Sequence, residues 1–355
     1  MKKNLFKISI SAIVTILVIF IINTLYTAGV FKTLAPHLEG QLKTIYTTMP
    51  GTEDMDIDYQ KGLLFISSTD RWKQLKGEVV DGGIYLLQLD SGSIPKKLVT
   101  TYKGVIQPHG ISYLSKDSTD YLFVVNHNDQ GNFVELFQFR NDTLFHQKNF
   151  SDQTMCCPND VVGVDIDKFY VTNDHGTKTG MMRIAEDYLR IPRSYLLYFD
   201  GSQFSKAYEG LNYGNGVNIS NDGSKLYLTH TTGRELLTFE RNKETGKLEL
   251  LNKLNLKSGL DNIHVDNEDN LWIASHPKML KFIGHAKDST KKSPSQVFKL
   301  SPNGSNYKIE EIYLNNGEQL SASSVAVKYK DDLFIGVVFE SKVLQLGLNR
   351  IPSID

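Results

Sequence analysis

The residues best suited to chemistry in this chain come in pairs. Glu53-Asp54, His109-Gly110, Asn159-Asp160, Asn215-Gly216, Asp261-Asn262 and Ser323-Ser324 each stand ahead of an alternating stretch such as Val217-Asn218-Ile219. Glu53, Asp261, Asn159, Asn215 and Asn262 together offer two carboxylates and three amide oxygens. That is a hard, all-oxygen set of the kind Ca2+ takes, with coordination left over for water or substrate. Zinc, which prefers His and Cys in a tetrahedron, suits it poorly. His109 belongs to the same series, and its ordinary pKa range suits a general base. A solvated polar plug is the alternative that such a set leaves open.

These residues can act together only if the fold brings them to one place. About 11 to 14 residues after each pair comes a second, more apolar run, the spacing of consecutive strands in a repeat. The runs are Leu64-Phe65-Ile66, Leu122-Phe123-Val124, Phe169-Tyr170-Val171, Leu226-Tyr227-Leu228, Leu271-Trp272-Ile273 and Leu333-Phe334-Ile335. Their central aromatics are separated by 58, 47, 57, 45 and 62 residues. Short strands repeating at such periods indicate a β-propeller, here of six blades. A large sandwich with coincidental spacing is the competing fold. In a propeller the innermost strand of each blade lines the central channel, so the polar pairs converge at one mouth. Burying that many oxygens without partners costs about 1–3 kcal/mol each, so something must satisfy them, a hard cation or the water of a solvated plug.

Composition agrees. The chain has 355 residues and a formal net charge of −1, which argues against a nucleic-acid partner. Nine alanines stand against 17 tyrosines and 18 phenylalanines, a bias toward strands. Two cysteines exclude a disulfide scaffold. At the amino terminus Lys2, Lys3 and Lys7 precede an uncharged run from Ile8 to Tyr26, long enough to cross a bilayer. Residues 1–28 are therefore read as an uncleaved signal-anchor helix that holds the rest of the chain outside the cytoplasm, with secretion after cleavage as the rival. Residues 29–50 are expected to form a connecting helical segment, and residues 51–350 the propeller, an all-β unit.

The motifs themselves resemble those of the paraoxonase/arylesterase family of calcium-dependent lactonases and esterases, from about Gly51 to Gly347. The resemblance rests on Glu53-Asp54, Gln107-Pro108-His109-Gly110-Ile111-Ser112, Val124-Val125-Asn126-His127, Asn159-Asp160-Val161-Val162, Thr172-Asn173-Asp174-His175, Asn215-Gly216-Val217-Asn218-Ile219-Ser220, Asp261-Asn262-Ile263 and His276-Pro277. It implies a six-bladed propeller with two calcium ions in its tunnel. By position, Glu53, Asn159, Asn215, Asp261 and Asn262 match the ligands of a catalytic calcium. Asp54, Asp160 and the carbonyl of Ile111 match those of a deeper structural calcium. His109 and His127 match the family's histidine pair. A lactone or aryl ester is the implied substrate, its developing oxyanion stabilised by calcium while His109, aided by His127, activates water. Asp261 is a competing base, and Asp174, His175 and His276 are expected around the pocket or behind the histidines.

Departures from the family pattern are equally specific. Cys156 and Cys157 lie mid-chain, so the family's staple between the domain ends is absent and closure must rest on strand pairing. Ser275 replaces the cysteine before His-Pro. Residues 176–193 carry Arg183, Arg190 and Arg193 where the animal members have a helical, aromatic stretch, so substrate preference and docking do not transfer. A non-catalytic, calcium-stabilised propeller that binds a ligand or protein is the alternative function, and the His109 and His127 pair is what favours an enzyme over it.

Overall fold

The computed structural model describes residues 2–304 and 306–348. Helix α1 (Lys2–Thr27) is followed by six antiparallel sheets arranged as blades. From the innermost strand outward, blade one is Met55–Asp58, Leu63–Ser68, Gly83–Gln88 and Lys96–Lys97. Blade two is Pro108–Lys116, Thr119–Asn128, Gly131–Arg140 and Thr143–Phe150. Blade three runs Pro158–Asp165, Lys168–Asn173, Ser194–Phe199 and Phe204–Leu211, and blade four Gly214–Ile219, Lys225–His230, Glu235–Arg241 and Leu248–Asn255. Blade five is Gly259–Val265, Leu271–His276, Ser295–Asn303 and Asn306–Asn315, and blade six Ser323–Tyr329, Asp332–Val337 and Val343–Gly347.

The six recurring aromatics explain how the blades hold together. Phe65, Phe123, Tyr170, Tyr227, Trp272 and Phe334 are each at most 2% exposed, and each belongs to a different hydrophobic cluster. Every cluster draws on two neighbouring blades: Phe65 with Leu122 and Val124, for example, or Phe334 with Met55 and Ile57. The core is thus six wedges around an axis, one aromatic driven into each seam. Fully burying such a side chain is worth roughly 1.5–3 kcal/mol, so the repeat legible in the sequence is the repeat that stabilises the ring.

The expected helical connection over residues 29–50 is not there. Gln41–Tyr46 is a strand that pairs antiparallel with Val343–Gly347 as the outermost strand of blade six, and His37–Leu38 adds to the edge of blade five. The physical reason is closure. Without Gln41–Tyr46, Val343–Gly347 would be left as an unpaired edge, and no strand pairing would tie the first and last blades, only packing and isolated hydrogen bonds such as Val337 N–H to the Thr52 carbonyl at 3.0 Å. The propeller therefore begins near Gln41, not at residue 51.

Three short helices rise from equivalent places, the connection between second and third strands: α2 (Arg71–Leu75) in blade one, α3 (Met181–Leu189) in blade three and α4 (Met279–Lys287) in blade five. Within α1, Ser9–Thr27 is long and apolar enough to cross a membrane. Its foot rests on the α4 loop, where Met279 N–H donates to Ala28 O at 3.0 Å.

Candidate active site

The polar pairs sit where the innermost strands break their ladders. Register slips between Pro108 and Ile111, Pro158 and Val161, Gly214 and Val217, Leu260 and Ile263, and Ser323 and Val325. Each slip is a β-bulge, which frees residues from the ladder and re-aims their side chains. The second member of two pairs is glycine because the next blade leaves no room. A Cβ on Gly110 would meet Asp160 Cα at 2.4 Å, and one on Gly216 would meet Asn262 Cα at 2.7 Å.

Glu53, Asn159, Asn215, Asp261 and Asn262 come together at the floor of a cavity of about 530 Å³, the first four lining it directly and Asn262 bonding to Glu53. All five are at most 4% exposed. Asn215 donates its Nδ2 to Thr231 Oγ1 at 2.9 Å, and Asn262 donates its Nδ2 to the Glu53 carbonyl at 3.1 Å and to Glu53 Oε1 at 3.2 Å. With those donors used, the amide oxygens have no protein partner: Asn159 Oδ1, Asn215 Oδ1, Asn262 Oδ1 and Glu53 Oε2 are all buried and unbonded. Asp261 Oδ2 pairs with His276 Nε2 at 2.8 Å, and burial raises the Asp261 carboxyl from its ordinary value against that bond. Among the described residues no cluster of three His, Cys, Asp or Glu is disposed to hold a metal. The donor set here is instead mixed carboxylate and amide, which fits a hard cation.

Deeper in the tunnel, Asp54 and Asp160 each bridge to the next blade. Asp54 Oδ2 accepts from Ile111 N–H and Asp160 Oδ2 from Val217 N–H, both at 2.7 Å. The Ile111 N–H thus holds Asp54 in place across the seam between the first two blades. Burial pushes both carboxyls well above their usual range, and the charge of Asp160 adds to the effect at Asp54. Two buried acids so close raise the cost of charging one another.

His109 faces the cavity, 18% exposed, with Nε2 3.3 Å from Glu53 Oε1. Its Nδ1 lies 2.9 Å from His127 Nε2, and His127 Nδ1 lies 2.8 Å from Asn132 Oδ1. Asn132 in turn donates its Nδ2 to the Cys156 carbonyl at 2.7 Å. That last bond assigns the whole relay. Asn132 offers His127 an acceptor, so the proton of neutral His127 is on Nδ1 and its Nε2 accepts from His109 Nδ1–H. His109 Nε2 is then left unprotonated toward the cavity. Burial and the neighbouring His109 push the His127 pKa down to about 3, so it stays neutral in this role.

The flanking residues divide. His276 supports Asp261 and stacks on Phe282 of α4 with ring centres 4.1 Å apart. Asp174 lines the cavity, but His175 does not. It bridges Asp174 and Asp187 at 2.7 Å each, fastening α3 to blade three. His127 lies within the strand Thr119–Asn128, not beyond its end. Sequence reasoning missed Asn132, although the hairpin arithmetic contained it: a turn at Asp129-Gln130 puts Asn132 directly opposite His127. It also missed Arg71, Tyr213 and Arg234 in the cavity wall, for which no motif gave notice.

Residues 41–346 match the family model described as Arylesterase. The chain is 33% identical over 301 residues to serum paraoxonase/arylesterase 1 of Homo sapiens, covering 81% of this chain and 84% of that protein. Identity to serum paraoxonase/arylesterase 2 of Gallus gallus is 33% over 300 residues, with the same coverage. Among solved structures, a gluconolactonase from Xanthomonas campestris superimposes with a TM-score of 0.54 at 15% identity, covering 90% of this chain and 99% of that one. The calcium-binding protein regucalcin from Agrobacterium tumefaciens gives 0.53 at 15%, covering 88% and 94%. At such identities the structural matches speak to the propeller fold alone.

Proposed function

The chain belongs to the arylesterase family, and on that basis we propose that it is a calcium-dependent hydrolase of lactones or aryl esters that uses His109 as the base. Membership supports hydrolysis of esters or lactones; the metal and the histidine are our reading of the site. The observation that carries it is the set of four buried, partnerless oxygens from Glu53, Asn159, Asn215 and Asn262 beside His109, whose Nε2 faces the cavity 3.3 Å from Glu53 Oε1.

Those four residues and Asp261 would hold the catalytic calcium, and Asp54 and Asp160 a second, structural ion. A bound calcium would supply Lewis-acid stabilisation of negative charge on the carbonyl oxygen of the substrate. The chain's own residues do the rest. His109 Nε2 takes a proton from water, and the imidazolium so formed has Glu53 Oε1 3.3 Å away to balance it. His127 and Asn132 hold the ring of His109 in the tautomer that leaves Nε2 free. His276 fixes the orientation of Asp261. The floor lies below the protein surface, which limits competing solvent around the reacting groups.

Helix α1 ends at this mouth, with Thr24, Thr27 and Ala28 in the cavity wall. The apolar span Ser9–Thr27 supports an anchored enzyme, and the lysines ahead of it a propeller outside the cytoplasm. The test is hydrolysis of phenyl acetate and of a simple lactone before and after exhaustive chelation, with calcium binding followed separately by calorimetry. Loss of activity on chelation and recovery on adding Ca2+ is the expected result. Unchanged activity in the chelated protein would refute the metal role, and full activity in His109→Gln would move the base to Asp261.

A further inference from the structure

The charged groups lining the cavity are unevenly paired. Its four acidic side chains are all engaged: Glu53 with His109 and Asn262, Asp261 with His276, and both Asp174 and Asp187 with His175. Four arginines line the same space. Arg71 donates to the Pro108 carbonyl and to Gln74, and Arg183 lies 3.8 Å from Asp174. Arg190 and Arg234 differ. Neither forms an ion pair among the described residues, and Arg234 Nε has no hydrogen-bond partner. Burial, and then the charge of Arg190, hold the Arg234 guanidinium below its ordinary value, so the two cations feel one another across the wall.

The backbone is arranged to present them. Both residues adopt the left-handed conformation, with φ of 52° at Arg190 and 63° at Arg234, uncommon for a long side chain. Arg190 ends α3, where its carbonyl accepts from Asn212 Nδ2 at 2.6 Å. Arg234 closes the turn after the second strand of blade four, its N–H donating to the His230 carbonyl at 2.8 Å. Thr232 Oγ1 donates to the Asn212 carbonyl at 3.1 Å, so Asn212 ties the two turns together. Such conformations persist where surrounding contacts enforce them, and they cluster at ligand-binding positions. A guanidinium on a cavity wall without a protein ion pair keeps its terminal Nη donors for a ligand oxyanion.

We propose that Arg190 and Arg234 form an anion-recognising subsite, so that the preferred ester or lactone carries a carboxylate or phosphate group. This rests on the hydrolase reading above and adds the substrate class. Charge-assisted hydrogen bonds to a guanidinium discriminate between a carboxylate and its neutral amide by about tenfold to a hundredfold.

The experiment compares 4-carboxyphenyl acetate with 4-carbamoylphenyl acetate, a pair matched in shape. The ratio of their kcat/KM values should favour the carboxylate by about that factor, mainly through KM, and should shrink at about 1 M salt as the charges are screened. It should fall toward one in R190Q and R234Q and be partly kept in R190K and R234K, thermal midpoints reporting whether each variant is folded. A 4-(phosphonomethyl)phenyl ester tells whether phosphate or carboxylate is preferred. A ratio of one or less in the wild-type protein overturns the proposal. Should neither ester be hydrolysed, the hydrolase reading fails, and the subsite is decided by calorimetric titration with 4-carboxybenzamide and inorganic phosphate. Binding that disappears in R190Q/R234Q supports it; no binding, or equal binding in both proteins, overturns it.

Discussion

Removing the calcium proposed for this site should cost the propeller a large part of its stability, and the size of the loss can be worked from the floor of the cavity. Four buried oxygens, on Glu53, Asn159, Asn215 and Asn262, have no protein partner. Leaving a buried acceptor unsatisfied costs about 1–3 kcal/mol, and water entering from the open cavity recovers part of that, so about 1 kcal/mol each is the working value. The sum, about 4 kcal/mol, is a substantial fraction of the ~5–15 kcal/mol that holds a domain folded. For a domain of this size it corresponds to a fall in Tm of roughly 8–16 °C. By linkage, a gain of about 4 kcal/mol at ~1 mM Ca2+ requires a Kd near ~1 μM. The assay is differential scanning calorimetry of the full chain in chelator and across a calcium titration, with Mg2+ as the control, since its smaller octahedral shell fits a mixed amide and carboxylate ring poorly. Asn159→Leu sharpens it. Replacing an orphaned oxygen by an apolar group of similar volume should leave the metal-free protein as stable or more so, while blunting the calcium response. A Tm that moves by less than about 2 °C on chelation would refute the reasoning, because the orphaned oxygens would then have found other partners.

Three further outcomes follow from other parts of the structure. Asn132→Ala removes the acceptor that sets the His127 tautomer, so kcat should drop about tenfold or more with little change in KM, while Asn132→Asp, which keeps the acceptor, restores part of it. His175, with its pKa raised to about 9 by Asp174 and Asp187 against the effect of burial, should contribute stability that is complete below about pH 6.5 and is lost as pH rises through about 9. Unfolding free energies from denaturant titrations at pH 6.5 and 9.5 should therefore differ by more in the wild-type protein than in His175→Gln, by an amount on the order of 1–3 kcal/mol once the half-exposed Asp187 is discounted. A chain beginning at residue 30 should fold, whereas one beginning at residue 51 loses the closing strand Gln41–Tyr46 and should aggregate or melt far lower; soluble yield and near-UV circular dichroism would tell, and equal folding of both would refute the closure argument.

Much of the architecture was legible because a propeller writes itself into its sequence at a fixed period. Phe65, Phe123, Tyr170, Tyr227, Trp272 and Phe334 could be matched by eye because each fills the same seam in a different blade. The polar pairs were legible for the same reason, and symmetry brings Glu53, His109, Asn159, Asn215 and Asp261 to one cavity, while Ser323-Ser324, in the sixth blade, stays outside its lining. The closing strand was not. Gln41–Tyr46 carries no copy of the repeat and takes its conformation from Val343–Gly347, some 300 residues away.

What the amino-acid order alone determined, then, is everything that repeats: six blades, an aromatic in each seam, and a ring of oxygens at the bulges of the inner strands. What only the tertiary structure decided is which atoms are left without partners. Whether Asn159 Oδ1 is satisfied, whether Asn132 reaches both His127 and Cys156, and whether Arg190 and Arg234 form ion pairs among the described residues depend on contacts between blades. Periodicity is a property of local strand chemistry, which each repeat carries within itself. Partnership of a polar atom is a property of distances across the whole ring, and no local pattern encodes those.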